Sequence, residues 1–351
     1  MAATLAFIGL GIFMLAMATP AITAKPNLSH SELGIWSEFL DYSKVRNFLP
    51  SLKEHHLSLS LAISADHPNF DEFAKVYIEA EEMGVEVRPW LLLTEKDGYW
   101  FNKWNFPQAK SFVDLFVSEM KQRNIKLQWL VFDVEPPRSL IEEAQKLLQE
   151  GHYLTALHLL QHSSQDASLA AAERAYAQLV DDLHQQGVHV QGVISNFVLN
   201  DLQDSHRRIQ SALGTPVFGI AWDEISFMVY RVEFQRVLGP VGPWIVYEYA
   251  KRAHSFFGSR AGLDIGEAGH VSYPAPFSGY TDPQDLKDDL AAVSAAGLEK
   301  IHIYSLDGIS ERGIHFWLGS LEAKSLGIRD LESFALMFLF DQGRLLLPEA
   351  H

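Results

Sequence analysis

Eight short apolar runs alternate with longer amphipathic runs along this chain, and this alternation restricts the possible folds more than any other feature. The strand-like runs span residues 33–39, 57–64, 85–93, 127–135, 188–197, 218–230, 260–269 and 300–308. The amphipathic runs between them carry helix signals, such as Pro107 at a helix start and Gly84 at a helix end. Because eight strands separated by helices can close on themselves, we predict an α/β fold, a (β/α)8 TIM barrel.

Two competing architectures find little support in the sequence. A doubly wound open sheet also alternates strands and helices, but no G-x-G-x-x-G motif follows the first strand-like run. Two separate domains would need a linker, and no Pro/Ser/Gly-rich tract provides one. We therefore expect residues 25–351 to form a single barrel domain.

Two helical segments are additions to this alternation. The connection at residues 138–187 is long enough for the ordinary helix after strand four and an inserted helical hairpin, which could cover the cleft or bind a protein partner. The apolar stretch 330–346 contains Asp341 and Arg344, so we predict a packed C-terminal helix there rather than a membrane span.

The N-terminus has the composition of an export signal. An apolar run at residues 5–18 precedes small residues up to Ala24, and Lys25 follows. The run is short for a transmembrane span and is typical of a signal-peptide core. Residues 1–10 contain no Lys or Arg, so an uncleaved anchor is the alternative. We expect a periplasmic or secreted protein in which residues 1–24 are the signal peptide or anchor.

The composition is that of a folded, acidic protein with a large core. Hydrophobic residues make up 48% of the chain and charged residues 21%, which excludes a disordered protein. The formal net charge of −16 argues against a nucleic-acid partner, because no basic surface could offset it against phosphates. Since the chain has no cysteine, disulfides and thiolate metal sites are excluded.

The fourth strand-like run ends in two carboxylates one residue apart, Asp133 and Glu135, and two prolines follow. Side chains at positions i and i+2 of a strand point to the same side, so this pair shares one face. Like charges held this close are costly unless a site uses them. Catalytic groups in (β/α)8 barrels come from the C-terminal ends of strands, and we therefore expect chemistry at this pair.

The same rule makes the ends of the other strands candidate site residues. We predict Tyr230 and Glu267 as catalytic residues beside Asp133 and Glu135, and Glu38 also stands at the end of a strand. The predicted substrate-binding residues are Trp36, Trp90, Asn196, Trp222, Asp223, Tyr304 and Asp307. Polar groups amid aromatic rings favour a carbohydrate substrate, with no cofactor and no metal. No P-loop, kinase set, H-E-x-x-H or G-x-S-x-G motif is present.

The stretch QWLVFDVEPP at residues 128–137 resembles the fourth-strand motif of family-18 glycoside hydrolases, the chitinase-like enzymes. That motif reads D-G-x-D-x-D-x-E, and Asp133-Val134-Glu135 is similar to its second half. Met228 and Tyr230 resemble the family's M-x-Y-D, and Tyr304 stands where the family usually has tryptophan. The resemblance implies Glu135 as general acid, with Asp133 orienting a substrate acetamido group whose oxygen is the nucleophile, and with Tyr230 assisting.

The chain departs from this pattern at three positions. Gln128 and Val131 stand at the motif's first two aspartates, and Arg231 replaces the aspartate that follows the family's tyrosine. A second mechanism therefore stays open, in which Glu267 is a carboxylate nucleophile opposite Glu135. A retaining pair would need carboxyl groups about 5–5.5 Å apart, and an inverting pair about 6.5–9.5 Å.

The sequence thus predicts an exported glycoside hydrolase that cleaves a poly- or oligosaccharide, with Glu135 as general acid and Asp133 as its partner. A chitinase-like barrel that binds glycans or a protein partner without catalysis is the first alternative, because a fold can lose its activity and keep its cleft. A metal-dependent hydrolase that uses Asp133, His270 and His302 is the second, although no spaced ligand motif supports it.

Overall fold

Eight parallel strands form a closed barrel in this protein, and the predicted (β/α)8 fold is confirmed. The structure, a computed structural model, describes residues 32–152, 155–156, 158–159, 169–202, 207–271, 277–319 and 330–347. The barrel strands are β1 (Glu32–Ser37), β2 (Leu57–Ser64), β3 (Val87–Leu92), β4 (Trp129–Val134), β5 (His189–Ser195), β6 (Glu224–Met228), β7 (Ala261–Gly266) and β10 (Lys300–Tyr304). Each strand pairs with its sequence neighbour, and β10 closes the barrel between β7 and β1.

Helices follow the barrel strands and cover the outside of the barrel. Their bounds are α1 (Tyr42–Glu54), α2 (Phe70–Met83), α3 (Phe106–Gln122), α4 (Arg138–Gln149), α5 (Leu169–Gln185), α6 (Val198–Asp201), α7 (Arg208–Leu213), α8 (Arg231–Leu238), α9 (Trp244–Phe257), α10 (Pro283–Ala295), α11 (Leu306–Ile309), α12 (Ile314–Leu318) and α13 (Leu331–Gly343). A short antiparallel pair, β8 (His270–Val271) and β9 (Phe277–Ser278), lies in the connection after β7.

Local sequence signals set several helix ends. The Asn69 side chain accepts a hydrogen bond from the Glu72 amide at 3.2 Å and caps α2. Gly84 ends that helix in the left-handed conformation, at φ 77°, where a side chain would be strained. Asp282 caps α10, and Pro283 occupies its first turn. Pro107 lies in the first turn of α3, so both helix-end signals used in the sequence analysis, Pro107 and Gly84, lie at helix termini.

Strand side chains alternate between the two sides of the barrel wall. On β4, Leu130, Phe132 and Val134 pack outward into the core between barrel and helices, whereas Val131 points inward. The inward cluster consists of Trp36, Ala62, Trp90, Leu92, Tyr99, Val131 and Val193. Since Asp133 is two residues beyond Val131, it continues the inward row towards the C-terminal mouth, the end of the barrel where the strands terminate.

A buried charged network fills the N-terminal part of the barrel interior. The Glu224 carboxylate lies 2.9 Å from Arg88 Nη1, 3.1 Å from Lys300 Nζ and 2.5 Å from His302 Nε2. Gly34 on β1 makes room for this network, because a Cβ atom there would overlap the His302 ring. The network therefore separates the inward cluster from the N-terminal end of the barrel.

Helices α4 and α5 belong to the long connection at 138–187, but most residues between them lie outside the described parts of the chain, as does the predicted signal segment at 1–24. The hairpin, its protein partner and the export signal stay predictions. Near the C-terminus, α13 is joined to α9 by a two-pronged ion pair between Arg252 and Asp341, at 2.8 Å for each contact. Within the described residues, no helix has the length and hydrophobicity to cross a bilayer.

Candidate active site

Asp133 and Glu135 lie together at the mouth. Asp133 is the last inward-facing residue of β4, and Glu135 follows the end of the strand. Asp133 is only 3% exposed, and Glu135 is partly exposed. The backbone around them is fixed by Phe101, whose amide donates to the Asp133 carbonyl at 2.8 Å and whose carbonyl accepts from the Glu135 amide at 3.0 Å. The side chains of the two acids are hydrogen-bonded to each other. The same-face prediction for this pair therefore agrees with the geometry.

Burial raises the pKa of both carboxyl groups. For Asp133, the charge of Glu135 adds to the effect of burial, and for Glu135 the charge of Glu233 does so. The pKa of Glu135 reaches about 8, although its hydrogen bond with Asp133 lowers it. Two neighbouring carboxyl groups with raised pKa values do not both ionise near neutral pH, so the pair holds a proton that it can give to a ligand.

Glu38, just beyond β1, is held at the mouth by two phenols. The Tyr99 hydroxyl donates to Glu38 Oε1 at 2.7 Å, and the Tyr304 hydroxyl donates to Oε2 at 2.5 Å. Burial raises the pKa of Glu38 to about 7, against the lowering effect of these hydrogen bonds. The predicted residue Tyr304 thus lies at the site, where it orients a carboxylate. Tyr99, in the loop after β3, is a site residue that the sequence analysis missed.

Asp307 lies beside Glu38 and supports the backbone rather than facing the cleft. Its two carboxylate oxygens accept from the amides of Glu38 at 3.0 Å, Phe39 at 2.6 Å and Leu40 at 2.7 Å. Three amide donors occupy both oxygens, so the predicted substrate-binding role of Asp307 is corrected to one of holding the loop after β1.

Tyr230 lies at the end of β6 and its ring is 5.7 Å from that of Tyr304. Burial raises the pKa of its hydroxyl, and the charges of Asp264, Asp133 and Glu135 raise it further. The phenol therefore stays protonated and can donate a hydrogen bond to these acids or to a ligand. The sequence analysis placed Tyr230 at this site, and the structure brings it there.

Trp36, Trp90 and Asp264 form the floor of the mouth. The two indoles are 2% and 4% exposed and meet edge to face at 5.0 Å. Trp36 Nε1 donates to Asp264 Oδ1 at 3.1 Å, and burial raises the pKa of that carboxyl group to about 6. Both predicted tryptophans thus lie under the cleft rather than on its surface. Asp264 was missed, although its place two residues before Gly266 puts it on the inward row of β7.

Glu267 follows β7 and faces Arg236, a residue that the sequence analysis did not single out. Glu267 is 3% exposed, and its Oε2 accepts from Arg236 Nη2 at 3.2 Å. Burial and the charge of Glu233 raise its pKa to about 8, with Arg236 acting in the opposite direction. The preceding Gly266, at φ 117°, packs so closely on the Tyr304 carbonyl that a Cβ atom would not fit. This packing fixes where Glu267 leaves the strand.

Three predicted substrate-binding residues lie away from the mouth. Because β6 starts at Glu224, Trp222 and Asp223 are at the N-terminal end of the barrel. Trp222 is buried against Phe132 on the outside of the wall. Asp223 binds two histidines, His184 at 2.8 Å and His189 at 3.0 Å. Asn196 is buried beside the hydroxyl of Tyr249 on α9, so it packs outward. These three expectations are corrected.

The residues considered for a metal do not come together. His302 binds Glu224 in the lower network, and His270 is exposed on β8 beyond the mouth. In the described ranges of the chain, no group of three or more His, Cys, Asp or Glu side chains is arranged to hold a metal ion. The set of Asp133, His270 and His302 is therefore not a ligand set in this structure.

No protein-family model matches the sequence, and no curated protein matches it either. A solved structure of catalytic-site mutants of active domain 2 of a chitinase from Pyrococcus furiosus is 10% identical, covers 91% of this chain and 97% of its own, and has a TM-score of 0.46. An aldolase from Escherichia coli is 11% identical, with coverages of 92% and 93% and a TM-score of 0.39. A tryptophan synthase complex from Pyrococcus furiosus is 11% identical, covers 85% of this chain and 100% of its own, and has a TM-score of 0.43. At these identities and TM-scores, none of these likenesses bears on the function of this chain.

Proposed function

We propose that this protein is a glycoside hydrolase that acts outside the cytoplasm, with Glu135 as general acid and Asp133 as its partner. One observation carries the proposal. Two carboxyl groups share a hydrogen bond at the C-terminal mouth, with Asp133 buried and Glu135 partly exposed, and the pKa of Glu135 is raised to about 8. A general acid must be protonated at working pH and reachable by the substrate, and Glu135 meets both conditions.

The proposed reaction follows from this arrangement. Glu135 gives its proton to the glycosidic oxygen, the bond from that oxygen to the anomeric carbon breaks, and the positive charge on the sugar ring is stabilised by the carboxylates around it. Water supplies the oxygen that completes the anomeric carbon, and its proton returns to a carboxylate at the mouth. Asp133 donates its own hydrogen bond to Glu135 once that residue has lost its proton, and Tyr230 is placed to donate to either group.

The contacts of Glu267 favour a supporting role over that of a nucleophile. A nucleophilic carboxylate must be ionised and must reach the anomeric carbon. Glu267 is buried, has a pKa raised to about 8 and is engaged by Arg236. We therefore propose that Glu267 contributes to the electrostatics of the mouth. The nucleophile that attacks the anomeric carbon is then water or a group of the substrate.

A glycan-binding barrel without catalysis is the second candidate, and Val131 is the observation that favours it. Where the resembled motif has an aspartate below Asp133, this chain has an inward-facing valine that is fully buried. Asp133 therefore has no carboxyl group beneath it on β4 with which to exchange a proton. A barrel of this kind would bind glycans and leave them intact.

The two candidates are separated by measuring hydrolysis and binding on the same glycans. The purified protein is incubated with a panel of poly- and oligosaccharides, and released reducing ends are quantified beside binding measured by calorimetry. Turnover that disappears in Glu135→Gln supports the hydrolase. A glycan that binds tightly and is released intact by the wild-type protein supports the binding barrel and overturns the enzymatic assignment.

We also expect activity to fall as pH rises through the pKa of the general acid. Because Glu135 acts in its protonated form and its pKa is about 8, kcat/KM should drop about tenfold per pH unit above that value. The measurement is kcat/KM from about pH 5 to 10. A profile that stays level up to pH 10 would contradict Glu135 as the acid.

A further inference from the structure

Six carboxyl groups converge on the mouth of the barrel, more than a general acid and its partner require. They are Glu38, Asp133, Glu135, Glu233, Asp264 and Glu267. Glu135 interacts electrostatically with Glu38, Glu233 and Asp264, and Glu233 interacts with Glu267. These groups come from β1, β4, β7 and α8, so the acidic character extends around the mouth and does not belong to one loop.

Two arginines and one histidine offset only part of this charge, and the histidine, His302, acts on Asp264. Arg236 pairs with Glu267 at 3.2 Å. Arg138 acts on Glu38, but its guanidinium also lies 2.6 Å from Glu95 and 3.5 Å from Glu142, two acids outside the group of six. Among the residues that the structure describes, the mouth therefore has more carboxyl groups than cations.

Asp133 adds an independent sign that a ligand completes the site. It is 3% exposed and continues the inward row to the mouth. Apart from the hydrogen bond that its side chain shares with Glu135, its Oδ1 accepts from no donor among the described residues. A buried carboxyl oxygen without a partner is costly, and native proteins rarely leave one unpaired. A donor brought by the ligand would satisfy it.

Aromatic rings complete the surroundings of the carboxyl groups. Tyr230 and Tyr304 lie side by side at the mouth, and Trp100, partly exposed, packs on Tyr99 at a ring distance of 5.3 Å. The faces of such rings bind both sugar rings and organic cations. Carboxylates beside aromatic faces are therefore suited to a sugar that carries a positive charge.

We propose, building on the glycoside hydrolase function, that the substrate is a polymer of an amino sugar whose amino group is unsubstituted and protonated. A neutral sugar that closes the mouth would desolvate the carboxyl groups without compensating their charge, which is unfavourable. An ammonium group forms charge-assisted hydrogen bonds to them and supplies donors for Asp133. Such a sugar has no acetamido oxygen, so water rather than the substrate attacks the anomeric carbon.

The competing explanation is that the carboxyl groups are simply protonated and donate hydrogen bonds to hydroxyl groups of a neutral sugar. The two explanations differ in how affinity depends on the sugar's charge. The decisive comparison is therefore between oligosaccharides of the same length and linkage that differ only at nitrogen.

The experiment measures binding to the Glu135→Gln variant, which removes turnover as a complication. Oligosaccharides of glucosamine and of galactosamine are titrated by calorimetry, each beside the same sample after chemical N-acetylation. We expect the free-amine member to bind at least about tenfold more tightly, since close ion pairs at desolvated contacts are worth that much or more. The advantage should shrink when ionic strength rises from about 0.05 M to about 0.5 M, because salt screens charge.

Glu233→Gln and Glu82→Gln form a matched pair of second substitutions. Glu233 is exposed at the mouth, whereas Glu82 is exposed near the C-terminal end of α2 and forms no ion pair with the described residues. We expect Glu233→Gln to reduce the free-amine advantage about threefold or more and to leave binding of the N-acetylated member unchanged. Glu82→Gln should change neither value.

Equal or tighter binding of the N-acetylated member, or binding of neither, would overturn this inference. An equal loss for both members in Glu233→Gln would do the same, because it would indicate a structural effect. If the free-amine preference is found but the wild-type protein cleaves nothing, the inference stands and the proposed hydrolase function fails instead.

Discussion

Replacing Glu135 by glutamine is expected to lower kcat by about 10²–10⁴-fold while KM changes little, because a general acid acts mainly in the transition state. Glutamine keeps the size of the side chain and its contact with Asp133 but has no proton to give. Initial rates on the best glycan of the panel, for the wild-type protein and the variant, provide the measurement.

The stability of the same variant distinguishes lost chemistry from lost structure. The pKa of Glu135 is raised in the folded protein above its ordinary value of 4.5. Ionisation therefore favours unfolding once pH exceeds that value, and a neutral side chain removes this penalty. We expect Glu135→Gln to melt at the same temperature as the wild-type protein or above it at pH 7. Retained turnover on every glycan, or a clearly lower melting temperature, would count against the assignment.

Glu224→Gln is expected to lower the free energy of unfolding by about 3–5 kcal/mol without direct effect on the mouth. Glu224 is fully buried, and the substitution removes the carboxylate that Arg88 and Lys300 share in the barrel interior. Arg88 then keeps only the exposed Glu86 as its counter-ion, and Lys300 keeps only the exposed Glu32. Urea denaturation at pH 7 measures the change. Asp223→Asn is the matched control, because Asp223 is the adjacent acid and is partly exposed. It contacts two histidines and accepts from the Val190 amide at 2.7 Å, and an asparagine oxygen can still accept from that amide. A loss of about 1 kcal/mol or less is therefore expected.

The same network makes the stability of the folded protein depend on pH. Burial alone would raise the pKa of Glu224, but the charges of His302, Arg88 and Lys300 outweigh it and hold the pKa well below 4.5. The stabilisation is thus present above pH 4.5 and is lost as pH falls towards the folded-state pKa. The wild-type protein should lose more stability than Glu224→Gln between about pH 5 and 3. Equal losses would show that Glu224 does not carry this acid sensitivity.

Period-two alternation was enough to predict how Asp133 and Glu135 are presented. Side chains two residues apart share a face in any strand, so the two carboxylates were expected on one side. The apolar run before them and the prolines after them placed the pair at the end of the strand. The same logic placed Tyr230 and Tyr304 at the mouth. It failed for Asp223, because the run 218–230 is longer than a strand, and periodicity alone cannot tell which part of it enters the sheet.

The remaining site residues depend on contacts between distant parts of the chain. Nothing in the sequence around Asp307 distinguishes it from an ordinary surface acid. Its role depends on the loop after β1, which brings three backbone amides to its carboxylate. Asp264 looks like one polar residue in an apolar strand until Trp36, more than two hundred positions earlier, donates to it. Glu233 lies on a helix whose position relative to the mouth has no signature in local sequence.

The sequence by itself determined the eightfold alternation of strands and helices and the direction of each strand's side chains, because both follow from local periodicity. The tertiary structure alone decided which acids meet, since barrel closure brings β1, β4, β7 and α8 together at one end. That convergence turns ordinary carboxylates into groups with raised pKa values, because desolvation and like charge act through space and not along the chain.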